Sequence, residues 1–251
     1  MTDMHAMADA MTDVHSRPDN QTAELFGQTP WQTVGPFFHY QLPWRGCADL
    51  TGCSDLGARL DLMPAEHCLL YCPIERGPVS GPAIEIIGSV LDANGAVVPD
   101  AMLEIWQANA AGRYNSPDDA RTQLPLEAAF AGFGRADTAA AGSFRFRTIL
   151  PGRVPGPGGV LQAPHIAVGV LGRGLLKRLV TRIYFEGEAA NAADPILALV
   201  PAARRDTLIA RRIAGQRDAG HGAQDGAQDG AWTYRFDVHL QGERETVFFD
   251  F

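Results

Sequence analysis

The chain has 251 residues, a formal net charge of −8 and an apolar share of 46%. That length holds one large all-β domain or two small ones, with enough apolar residues for a sizeable core. The acidic balance argues against a nucleic-acid binder, which needs a basic face, but one arginine can still serve a small anionic ligand.

Residues 1–28 are polar and without apolar periodicity, so a flexible tail is expected, with His5 and His15 as solvated side chains within it. The start lacks the basic and apolar regions of a signal peptide, and nothing in the chain is apolar for long enough to be a membrane helix. A cytoplasmic protein with reduced cysteines is the expectation. Residues 29–40, TPWQTVGPFFHY, carry two prolines, a glycine and four aromatics. That composition predicts an extended arm whose rings cover either their own domain or a neighbouring subunit.

A loop over 43–82 holds Cys47, Cys53, Cys68 and Cys72. Their spacing fits no zinc knuckle, so free thiols are expected. From Ala83 the pattern turns to β. AIEIIGSVLD reads as a strand and Asp92-Ala93-Asn94-Gly95 as a turn. AMLEIWQA (Ala101 to Ala108) follows, with Trp106 as a core anchor. Asn109 to Gly132 reads as a long excursion. In GSFRFRTI (Gly142 to Ile149), Phe144 and Phe146 alternate with Arg145 and Arg147. PGRVPGPGG (Pro151 to Gly159) cannot be regular structure.

The central stretch, Gln162 to Phe185, predicts two strands joined at Gly172-Arg173-Gly174. Alternation puts His165, Ala167 and Gly169 on one face, where the small residues leave room, and Ile166, Val168 and Val170 on the other. A short helical turn is expected near Pro201 to Leu208, and a flexible low-complexity insertion over 214–231, where GAQD repeats. TYRFDVHLQG and ETVFFDF read as two closing strands. Short strands, Gly/Pro turns and little helix predict an all-β antiparallel sandwich in one domain, 29–251.

No nucleophile elbow, phosphate loop or metalloprotease helix is present. His165 is the natural seed of a metal site, but the partner imidazole of an H-x-H pair is replaced by Ala167. Several segments in order now carry a resemblance: TPWQTVGPFF, LEIWQANAAGRY, APHI with its strand and GRG, LVTRIYF, RRDTLIARR and YRFDVHLQGERETVFFDF. The chain resembles the intradiol ring-cleaving dioxygenases, specifically the branch that pairs homologous α and β chains to open the carboxylated catechol protocatechuate with O2. The arm, the GRG turn and the ending resemble the α type.

The resemblance implies a shared sandwich fold and a ferric ion held by two tyrosines and two histidines of the β chain. Here the matching positions are Ala120-Arg121-Thr122, Val154, His165 and Ala167, so no iron is expected in this chain. Tyr114 and Tyr184 are the rival phenolates. Thr33, Gly35, Pro36 and Arg173 are the positions implied to line a cavity shared with an iron-binding β subunit, within a higher α–β oligomer. A stand-alone iron dioxygenase with unusual ligands and a non-catalytic β-sandwich binding module stay open as alternatives.

Overall fold

β-Branched residues at alternate positions drive the first strand of the barrel-like sandwich. In β1 (Ala83–Leu91) the inward residues Ile84, Ile86 and Val90 are fully buried. Gly88 shares that face because a Cβ there would collide with the Phe236 carbonyl. The computed structural model describes residues 33, 35, 46–52, 54–57, 77–138, 140–217 and 231–250, with backbone alone at 214–217. The chain divides into Met1–Thr33, of which only Thr33 is described, and Val34–Phe251.

The other strands are β2 (Met102–Trp106), β3 (Phe133–Asp137), β4 (Ser143–Ile149), β5 (His165–Leu171), β6 (Leu179–Phe185), β7 (Ile209–Arg217), β8 (Trp232–Arg235) and β9 (Val238–His239). Their order is β3-β2-β5-β6-β7-β8-β1-β4, with β9 beside β1. Two halves, β3-β2-β5-β6 and β7-β8-β1-β4, meet in the strand order at a short β6–β7 ladder, Tyr184↔Ile209 and Phe185↔Ala210. Most pairings are antiparallel, as expected. The exceptions are β6–β7, β1–β8 and β1–β9, which are parallel.

The halves bury one core. Leu103, Ile105, Ile166, Val168 and Val170 meet Ile84, Ile86, Phe144, Phe146 and Phe236. Phe185 and Tyr234 cross the gap edge to face at 5.1 Å. Truncating such a side chain to alanine costs about 2–5 kcal/mol. The segment 46–50 ties the edge strands together: Arg135 donates its amide to the Cys47 carbonyl, while Leu50 and Arg147 donate to Arg147 and Ala48. Cys47 is a buried free thiol donating to the Gly57 carbonyl. Cys53, Cys68 and Cys72 lie outside the described residues.

Three expectations need correction, and one strand had no expectation at all. β3 lies in a stretch with no strand signal, FGRAD, which is strand because it pairs with β2. β7 runs to Arg217, into the stretch read as insertion, because it pairs with β8. ETVFFDF is not a strand. It makes one isolated bridge, Val180↔Phe249, and is held further by the Thr181 hydroxyl on the Val247 carbonyl, the Val247 amide on the Thr207 hydroxyl and the Arg204 guanidinium on the Glu245 carbonyl. Trp106 is half-buried on the outer face rather than in the core, since Leu103 and Ile105 take the inward positions of β2.

The expected helical turn is present as 3-10 segments at Ala189–Ala193, Leu197–Leu199 and Ala202–Leu208. They cover the outer face of β6 and enclose a second small cluster of Ala163, Tyr184, Leu197, Val200 and Leu208. Among the described residues no helix is long and apolar enough to cross a membrane.

Candidate functional site

His165 opens β5 directly after Pro164, so the preceding backbone is extended and the imidazole enters a fixed position. It is 6% exposed. Its Nδ1 lies 2.8 Å from the Ala163 carbonyl. A carbonyl only accepts, so Nδ1 carries the proton and Nε2 the lone pair. Burial, then the nearby Arg182 charge, lowers the imidazole pKa to about 4. His165 is therefore neutral at physiological pH.

Its cross-strand partner is Tyr184 on β6, with ring centroids 5.8 Å apart. The Tyr184 hydroxyl donates to Asp194 Oδ1 at 3.1 Å. Asp194 also accepts the amides of Ala163 (2.7 Å), Ile196 (2.9 Å) and Leu197 (2.7 Å). That buried carboxylate fixes the start of β5 to the 3-10 cover. Burial pushes the Tyr184 phenol well above its ordinary range. Tyr184 is thus a packed, protonated phenol hydrogen-bonded to Asp194 and Arg182, and the rival reading of it as a metal phenolate does not suit this environment.

Ala167 stands in register between Trp106 of β2 and Arg182 of β6. The Arg182 guanidinium donates to Gln162 Oε1 at 2.6 Å, bonds the Tyr184 hydroxyl and sits 5.8 Å from the Phe249 ring centroid. The room expected above this face is taken. Arg182 flanks Ala167, and the Arg178 guanidinium lies where a Gly169 Cβ would be, held 3.3 Å from Glu104.

Val154 is buried, its carbonyl accepting the Gln162 amide at 2.9 Å. Arg153 pins the same loop through the carbonyls of Gln162 and Leu161. Val154 walls a cavity of about 440 Å³ shared with Trp106, Tyr114, Asp119, Ala120 and Arg121. Trp106 and Tyr114 stack there, centroids 5.7 Å apart and planes 9° from parallel. Arg121 grips Asp119 through two hydrogen bonds and holds its carboxyl well below the usual range. Burial raises the Tyr114 phenol. Positions 120–121 and 154 therefore meet in one cavity, with Trp106 connecting them through register to Ala167.

Arg173 is elsewhere. It is exposed in the turn beyond Leu171, at the far end of β5 from His165. Six strand steps separate His165 from Leu171, roughly 20 Å. The same turn exposes Leu176 at 64%. Thr33 is exposed, and Gly35 has a φ of 77° with open space where a Cβ would stand. Pro36 lies outside the described residues. Among the described residues of the larger unit, Arg173 therefore stands apart from His165, Ala167 and Val154. Asp194 and the Trp106–Tyr114 stack were not foreseen.

Residues 70–242 match the sequence profile of a family described as "Dioxygenase". The chain is 40% identical over 233 residues to the protocatechuate 3,4-dioxygenase alpha chain of Pseudomonas putida, covering 91% of this chain and 98% of the relative. The chain belongs to the intradiol dioxygenase family. It is also 37% identical over 201 residues to the protocatechuate 3,4-dioxygenase beta chain of Burkholderia cepacia, covering 79% of each. The crystal structure of catechol 1,2-dioxygenase from Pseudomonas arvilla shares the fold, with a TM-score of 0.51 at 23% identity over 69% of this chain and 60% of that one.

The intradiol dioxygenases are Fe(III)-dependent. Ferric ion favours anionic oxygen and imidazole donors. At the converging positions this chain offers one imidazole nitrogen, an isopropyl group, a methyl group and the already paired Arg121. The residues present do not fit the metal.

Proposed function

We propose that this chain is the α subunit of a protocatechuate 3,4-dioxygenase, working in the cytoplasm with a homologous β subunit that holds the ferric ion. The assembled enzyme opens the protocatechuate ring with O2 to give 3-carboxy-cis,cis-muconate. The observation that carries the reading is the pairing of likenesses, an α chain matched over nearly its whole length and a β chain matched at lower identity. Hydrocarbon at Val154 and Ala167, where the ligand pattern needs a phenol and an imidazole, supports placing the metal in the partner.

This chain's contribution is to shape a shared cavity. Arg173 presents a fixed positive charge outside its own pocket, suited to the substrate carboxylate. Gly35, in a left-handed backbone conformation with open space beside it, allows a flat ring close approach, and Thr33 and Pro36 join the proposal from the sequence match alone.

Co-expression with a β-type homologue carrying both tyrosines and both histidines tests this. The pair should cleave protocatechuate, and the chain alone should not. Cleavage by the chain alone would favour a stand-alone enzyme. A chain that ignores such a partner would favour a non-catalytic module.

A further inference from the structure

We infer that Arg182 is the resident cation of the disused metal pocket, and that its guanidinium bars a ferric ion independently of the ligands missing at Val154 and Ala167. The inference rests on the metal-free reading of this pocket and not on the partnership with a β chain.

Register supplies the first ground. Ala167↔Arg182 is a cross-strand pair, so the two side chains share a face with Cβ atoms about 5 Å apart. The methyl group leaves space, and the arginine next to it uses that space. The second ground is bonding. The guanidinium donates to Gln162 Oε1, just ahead of β5, and bonds the Tyr184 hydroxyl of β6, so it is held from both sides. The third is position. The guanidinium sits 5.8 Å from the Phe249 ring centroid and bonds Tyr184, whose ring lies 5.8 Å from that of His165, so it stands beside the one imidazole of the pocket. A guanidinium stays protonated at any accessible pH, so it cannot make way for a trivalent cation by losing its charge.

The test restores ligands in the full chain. Val154→Tyr/Ala167→His is compared with Val154→Tyr/Ala167→His/Arg182→Gln after loading with ferrous iron in air and dialysis. Bound iron is measured by elemental analysis and by the visible tyrosinate–iron absorption. At least tenfold more iron in the triple variant is expected. Equal loading of the two, at any level, overturns the inference, whereas iron in the wild-type chain would overturn the metal-free reading itself. A second measurement needs no new ligands. In Arg182→Ala, free ethylguanidinium should raise the thermal midpoint saturably and should not do so in wild type. An identical response in both chains also overturns it.

Discussion

Removing one oxygen atom, Tyr184→Phe, separates a structural phenol from a catalytic one. The Tyr184 side chain is fully buried, so the ring of phenylalanine fills the same space without a cavity. What disappears is the hydroxyl between Asp194 Oδ1 and the Arg182 guanidinium. Asp194 keeps three backbone donors and Arg182 keeps Gln162, so neither charge is stranded. The loss is then the net value of a hydrogen bond to a charged acceptor, about 1.5–3 kcal/mol. In a chain of this size each kcal/mol moves the thermal midpoint by roughly 2–4 °C, so a drop of about 5 °C is expected. Thermal unfolding of the full chain, followed by circular dichroism, reads this directly. Ring cleavage by the assembled enzyme should stay within about twofold of wild type. An unchanged midpoint with abolished cleavage would refute the reasoning and make Tyr184 a working phenolate.

Three further outcomes are expected. Arg173→Ala in the assembled enzyme should lower kcat/KM for protocatechuate at least about tenfold, the value of one hydrogen bond to a charged group, with sedimentation unchanged; unaltered kinetics would count against the shared cavity. His165 titrates at about 4 when folded against an ordinary 6.5, so the unfolded chain binds more protons between those values. Its contribution is therefore complete above about pH 6.5 and lost as pH falls toward 4, and urea unfolding should show about 2 kcal/mol less stability from this group at pH 5 than at pH 7. His165→Asn should flatten that slope, and an equal slope would deny the assignment. Deleting residues 1–28 should leave assembly with the β chain intact while deleting 29–40 abolishes it, and normal sedimentation of the second deletion would remove the arm from the account.

Strands with clean alternation were legible before any coordinates. β1, β4, β5 and β6 fall where their apolar positions put them, and Ile166, Val168 and Val170 are buried as expected. β3 and β7 were not legible, because FGRAD and IARRIAGQR hold glycine, alanine and charges and become strands only by pairing with neighbours. The parallel pairings join residues far apart in sequence, which local pattern cannot reveal. At the site, the hydrocarbon at 154 and 167 was visible as a gap in a ligand pattern. What fills the gap was not. A seven-residue turn, 172–178, separates β5 from β6, so the register that sets Arg182 opposite Ala167 could not be read from turn chemistry. The Asp194 clasp was hidden for a related reason, since it depends on the 3-10 cover folding back over Ala163 and Tyr184.

Metal analysis of the purified full chain, alone and co-purified with a β-type partner, bears most directly on the division of labour proposed for the two subunits. The account predicts a colourless chain with negligible iron by itself and one ferric ion per α–β pair. One tightly bound ferric ion in the solitary chain would contradict it.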